Sequence, residues 1–91
     1  MIYGVTIFLN EVNFGLKDRS KQVQSRMMEE AFFTSRKAAT SFYLFHLEQW
    51  KAQKGIFYGK YENRGRAEMY KATVQDGRVI NNGITIYKET I

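Results

Sequence analysis

The sequence predicts a single α+β domain over residues 1–91, with one long amphipathic helix packed on a four-stranded antiparallel sheet in the order β-α-β-β-β. Three observations predict this class. The N-terminal segment is rich in β-branched and aromatic residues, and residues 25–54 repeat apolar side chains at a helical period. The last third of the chain contains Asp76-Gly77, a dipeptide typical of tight β-hairpins.

The first predicted strand covers residues 2–9. Tyr3, Val5, Ile7 and Leu9 share one parity, which makes them the expected core face of that strand. Residues 10–24 are polar and carry several lysines and arginines, so we interpret this segment as a basic loop.

The predicted helix covers residues 25–54, from an N-cap at Ser25 to the helix-terminating Gly55. At 100° per residue, its large apolar side chains fall within an arc of about 160°. A helix of this length is about 45 Å long, whereas a compact chain of this size is roughly 30 Å across. We therefore expect the helix to overhang the sheet or to be covered by a second subunit.

A minor apolar stripe on the predicted helix favours a partner. Phe33 and Leu44 lie on the face opposite the main arc, and Leu47 lies at its edge. These three residues are the candidate partner-binding set for a homodimer. The alternative is that they are single exposed apolar residues, which are common on protein surfaces.

A β-meander is predicted over residues 56–90. Its strands are separated by a loop at 63–66 and by the Asp76-Gly77 turn. Asn82-Gly83 is either a further turn or a bulge within one longer strand, and the bulge is favoured because Arg78–Asn81 would be a very short strand.

Composition restricts the compartment and the partner class. The chain has no cysteine, which excludes disulfide frameworks and thiolate zinc sites and favours a cytoplasmic location. No signal peptide or membrane span is expected. The net charge of +5 favours nucleic acid or an acidic protein surface as partner, although many small proteins are basic only for solubility.

Catalytic and metal-binding signatures are weak. His46 is the single histidine, and its place within the apolar arc predicts a core or boundary residue. The acidic residues lack the paired spacing of zinc, di-iron or glycosidase sites, and the glycines form no phosphate-binding loop. We expect no cofactor, no metal and no catalytic residue, and therefore favour a non-enzymatic protein.

The meander interleaves aromatic rings with positive charges, a composition that suits phosphate contacts and base stacking. The candidate nucleic-acid-binding residues are those expected to point outward or to lie in loops: Tyr58, Lys60, Arg64, Arg66, Lys71 and Arg78. The alternative is that these are ordinary residues of solvated strands.

Two families resemble the predicted order of elements. The order looks like that of cystatin-type inhibitors, in which a long helix lies against a curved sheet, but their QxVxG loop is absent here. The chain is also similar to bacterial RelE-type RNase toxins in size, charge and antiparallel C-terminal strands, although Tyr87–Ile91 matches their basic C-terminal strand poorly. The leading hypothesis is a small nucleic-acid-binding protein. The alternatives are a protein-binding accessory or inhibitor, acting through the helix or a sheet edge as a homodimer, and a small RNase of toxin type.

Overall fold

The structure is a computed structural model that describes residues 1–14, 21–53 and 61–91. Within them, one helix lies on a four-stranded antiparallel sheet, which confirms the α+β class. The predicted order is wrong, because two strands precede the helix and the order is β-β-α-β-β. The elements are β1 (Ile2–Phe14), β2 (Lys21–Phe33), α1 (Arg36–Gln53), β3 (Tyr61–Gln75) and β4 (Arg78–Thr90).

The largest correction concerns residues 25–33, which were predicted to be helical and form most of strand β2. Ala31 and Phe33 lie beside Val5 and Tyr3 of β1, on the face that packs against the helix. A β-bulge at Met28 turns that side chain toward the same core. The helix begins only at Arg36. It is capped by Ser35, whose Oγ accepts a hydrogen bond from the Ala38 amide at 3.2 Å.

Strands also replace both predicted loops wherever the structure describes them. β1 continues to Phe14 and β2 begins at Lys21, so much of the predicted basic loop 10–24 is paired strand. β3 runs through the predicted loop at 63–66, where Gly65 exchanges backbone hydrogen bonds of 3.2 and 3.0 Å with Ile91. Residues 56–60 of the predicted strand 56–62 and the loop residues 15–20 lie outside the described residues, whereas Tyr61 and Glu62 belong to β3.

The C-terminal hairpin agrees with the sequence prediction. Asp76 and Gly77 form its two-residue turn with φ angles of 51° and 73°, the pair of positive values that a type I′ turn requires. The predicted bulge at Asn82-Gly83 is confirmed, because the pairing with β3 shifts there while β4 continues as one strand. The Gly83 amide donates to Asn81 Oδ1 at 2.7 Å and steadies the bulge.

The core lies between α1 and one face of the sheet, whose strand order is β2-β1-β3-β4. α1 packs over β1, β2 and β3. Ala39, Tyr43 and Leu47 follow one another at intervals of four residues and form the buried face of the helix. Their neighbours from the sheet are Val5, Ile7, Leu9, Ala67, Met69 and the C-terminal Ile91.

The sheet overhangs the helix, which reverses the expectation from sequence. Strands of 13 to 15 residues extend about 45 Å, whereas the 18-residue helix is about 27 Å long. β3 and β4 project beyond Ala72, the last β3 residue paired with β1, and we call residues 73–82 the β3–β4 arm. No helix in the described segments is long and apolar enough to cross a membrane.

Candidate functional site

The three predicted nucleic-acid-binding residues whose side chains the structure describes do not share one face of the sheet. Arg66 lies on the face of the sheet away from α1, with its guanidinium carbon 4.7 Å from the centre of the Phe8 ring. Lys71 has the opposite parity in β3, and Arg78 pairs with Gln75, so both lie on the face that carries the helix. Tyr58 and Lys60 lie outside the described residues, as does the side chain of Arg64.

The rings of two tyrosines of the meander already pack against other residues of the chain. Tyr70 is buried with its ring across the backbone of Gly4 on β1. Tyr87 stacks on Tyr43 of the helix, with ring centroids 5.7 Å apart and an interplanar angle of 26°. Tyr70 is therefore not available for stacking on a base, and one ring face of Tyr87 is already covered by Tyr43.

The proposed partner-binding stripe on the helix is wrong as a helical face. Phe33 belongs to β2, where its ring packs against Phe42 at 5.3 Å between centroids. Leu47 is 2% exposed in the core, and only Leu44, at 54%, is freely accessible. The stripe depended on one helix through residues 25–54, so it disappears with the shorter helix.

Leu44 instead lines a groove between α1 and the outer strand β4. We call this the α1–β4 groove; its volume is about 340 Å³. Its floor is the Tyr43–Tyr87 stack, and Tyr87 is 42% exposed. The lining residues are Thr40, Tyr43, Leu44, Tyr87, Lys88 and Glu89. The groove is therefore mainly apolar, and it lies directly beside the edge of the sheet.

An ion pair links the two walls of the groove. Lys51 Nζ lies 2.6 Å from Glu89 Oε1 and 4.0 Å from Glu48 Oε1. The hydrogen bond to Glu89 is the main reason that the pKa of Lys51 is raised. Burial, followed by the Glu89 charge, raises the pKa of the Tyr43 hydroxyl. Tyr43 is therefore neutral near pH 7 and supplies an uncharged aromatic floor.

A second polar cluster joins α1 to strand β2. Glu29 Oε1 accepts a hydrogen bond from Trp50 Nε1 at 3.2 Å and lies 3.2 Å from His46 Nδ1. The His46 ring also packs on Phe42, with centroids 4.0 Å apart. Among the described side chains, no nucleophile is hydrogen-bonded to His46, and no group of three His, Asp or Glu residues is placed to hold a metal ion.

The sequence interpretation missed both the groove and Glu29. At 100° per residue Glu29 would fall outside the apolar arc of the predicted helix, whereas β2 places it opposite Ile7 and in contact with His46. Tyr43 was correctly placed on the apolar side of the helix, but its stacking on Tyr87 depends on which strand lies outermost. The chain matches no protein-family model, and it has no significant similarity to curated proteins or to solved structures.

Proposed function

We propose that the chain is a non-enzymatic binding protein that holds an extended segment of a partner polypeptide along β4, with one apolar side chain of that segment in the α1–β4 groove. The observation that carries this proposal is the apolar groove directly beside an outer strand. The same mode of binding serves an accessory protein or an inhibitor of the partner.

The backbone of β4 supports this mode of binding. β4 is the last strand in the sheet order, and β3 is its partner among the described strands. A strand in that position presents N–H and C=O groups that an added strand can satisfy, and several peptide-binding domains use this mode. Register shifts near Ile86 and Asn82-Gly83 interrupt the edge, so we expect a short partner segment.

The groove supplies the side-chain selectivity that a backbone edge lacks. Its volume of about 340 Å³ is at the lower end of typical ligand pockets, which suits one bulky side chain. Tyr43 and Tyr87 offer ring surface, and Leu44 offers an exposed aliphatic wall. Because Glu89 is paired with Lys51, we expect an aliphatic or aromatic side chain in the groove.

A random peptide library displayed on phage, selected against the folded full chain, tests the proposal. The selected peptides should share one bulky apolar position. Leu44→Glu should weaken their binding by tenfold or more, about 1.4 kcal/mol. Phe45→Glu is the matched control, because Phe45 is 59% exposed on the same helix and does not line the groove.

Hydrogen exchange then locates the bound peptide. Binding should slow exchange at the β4 amides that point away from β3, without a comparable change in β2. Failure to select any peptide would overturn the proposal, as would peptides that bind Leu44→Glu and Phe45→Glu equally well.

A nucleic-acid ligand is the second candidate. It is supported by the net charge of +5 and by Lys71 and Arg78, which share one face near the β3–β4 arm. A fluorescent single-stranded oligonucleotide should bind at low salt, and Arg78→Glu should reduce the salt dependence more than Arg36→Glu on the helix. Absence of binding at low salt would remove this candidate, and RNA cleavage in the same mixture would support the RNase alternative.

A further inference from the structure

The face of the sheet away from α1, which we call the open face, carries an ordered pattern of charges. Cross-strand pairing arranges its side chains in rows that run from β2 to β4. The three central rows are Phe32, Gly4, Tyr70 and Thr85; Glu30, Thr6, Glu68 and Lys88; and Met27, Phe8, Arg66 and Thr90. The middle row therefore has a carboxylate at the β2 end and an ammonium at the β4 end.

Contacts within the chain occupy the inner charges of these rows but leave the outer two available. Arg66 lies over Phe8, and Glu68 accepts a hydrogen bond from Thr85 Oγ1 at 2.9 Å. Glu30 and Lys88 are exposed, and within the described part of the chain neither forms an ion pair. They lie on the two opposite edge strands of the sheet.

We propose that the open face binds the open face of a second copy of this chain, with a two-fold axis parallel to the strands. Such a rotation keeps each row at its own height and reverses its order. Glu30 then lies opposite Lys88 of the second copy, and Lys88 opposite its Glu30. Arg66 lies opposite a second Phe8 ring, which extends the cation–π contact already present within the chain.

The charges favour this axis over the other two-fold axis that could lie in the plane of the interface. A two-fold axis perpendicular to the strands would place β2 over β2 and β4 over β4. Glu30 would then face a second Glu30, and Lys88 a second Lys88. Like charges placed opposite each other across an interface are strongly unfavourable, whereas the parallel axis brings no two like charges together in the three central rows.

The size and relief of the face suit a dimer. The molecule measures 49 × 30 × 17 Å, so its broad face exceeds the roughly 800 Å² per partner of a standard interface. The Tyr70 ring lies across Gly4, and the neighbouring Thr6 has a short side chain, an arrangement that suits the spacing of about 10 Å between packed sheets. Met27 and Phe32, exposed at 50% and 41%, supply apolar area for burial.

Sedimentation equilibrium of the full chain and of charge-reversed variants tests the proposal. The wild type should dimerise. Glu30→Lys and Lys88→Glu should each raise the dimer Kd roughly tenfold or more, and the double variant should restore it. Glu48→Lys, on the exposed side of α1, is the matched control and should leave the Kd unchanged.

Far-ultraviolet circular dichroism verifies that each variant is folded. Lys88→Glu places a second carboxylate beside Glu68, and Lys88→Gln is used in its place if this repulsion unfolds the protein. A monomer at the highest soluble concentration would overturn the proposal. The proposal would also be overturned if neither charge reversal changed the dimer Kd, or if the dimer Kd of the double variant did not return toward the wild-type value. Leu44→Glu lies outside this interface and should dimerise normally, and Glu30→Lys lies outside the groove and should bind peptide normally. These two variants separate peptide binding from self-association, whereas Lys88 lines the groove as well.

Discussion

Gly4 is a residue where we expect a single added methyl group to be damaging. A Cβ at this position would lie 2.6 Å from the hydroxyl oxygen of Tyr70 and would overlap its ring. Because the ring is buried on the sheet, Gly4→Ala should destabilise the protein by about 1–3 kcal/mol through overpacking. Urea unfolding measures the change in the free energy of unfolding.

A double-mutant cycle isolates the cause of this loss. In a Tyr70→Ala background the clash is gone, so Gly4→Ala should then cost much less. An equal cost in both backgrounds would contradict the steric explanation and would favour a backbone effect at Gly4.

Tyr70 also predicts a loss of stability at alkaline pH. Burial is the main reason that its pKa is raised, and the Glu30 and Glu68 carboxylates raise it further. The unfolded tyrosine ionises near its usual pKa of about 10, whereas the folded one still holds its proton. Stability from this group is therefore complete below about pH 10 and is lost as pH rises through the folded pKa.

Unfolding experiments between about pH 9 and 12 test this sign. Tyr70→Phe retains the ring over Gly4 and removes the ionisable hydroxyl, so its stability should fall less steeply with pH than that of the wild type. If the substitution leaves the dependence of the free energy of unfolding on pH unchanged, the loss of stability at alkaline pH comes from other groups. These include Tyr43 and Lys51, whose pKa values are also raised.

At the scale of elements, the start of α1 gives the sharpest prediction. Ser35 Oγ accepts the Ala38 amide hydrogen at the first turn, so Ser35→Ala should cost about 1 kcal/mol of stability. Ser25, the cap expected from sequence, instead donates a long side-chain bond of 3.3 Å to Asn10 within the sheet. Ser25→Ala should cost less in the same thermal or urea experiment, and the reverse ranking would support the longer helix.

The sequence did not reveal strand β2, because its apolar residues fit the helical period as well as a bulged strand. Met27, Met28, Ala31 and Phe32 lie on one side of a helical wheel. In the strand, the bulge at Met28 breaks simple alternation, so Met28 faces the core while Met27 and Phe32 face away from it. A bulge depends on pairing with β1, which a local pattern does not contain.

The turn and bulge near the C-terminus were predictable for the opposite reason. Asp76-Gly77 and Asn82-Gly83 act through local backbone preference, which is encoded within two residues. The groove depends on contacts distant in sequence, since Tyr43 meets Tyr87 only when β4 lies outermost beside the helix. The sequence therefore identifies candidate residues but does not show which of them lie together in the groove.

At the scale of the whole molecule, the excess length lies in the sheet. The radius of gyration is 15.3 Å, compared with about 12 Å for a compact chain of this length. From the sequence we expected the helix to overhang the sheet or to be covered by a second subunit, whereas in the structure the strands extend beyond the helix. The β3–β4 arm is one such extension, and Val74, Val79 and Ile80 are exposed on it.

This shape predicts a gradient of local stability along β3. The arm has two strands and no helix above it, a combination that is marginal in water. Amides of Thr73 and Val74 should therefore exchange with solvent orders of magnitude faster than those of Ala67 and Met69 beneath α1. Native-state hydrogen exchange followed by NMR measures this difference within a single strand.

A variant with a less apolar arm provides the matched comparison. Replacing Val74 and Val79 by threonine retains β-propensity and removes apolar surface from the arm, so exchange beneath α1 should be unaffected. Uniform protection from Ala67 to Val74 in the wild type would contradict the gradient and would mean that the arm is covered in solution.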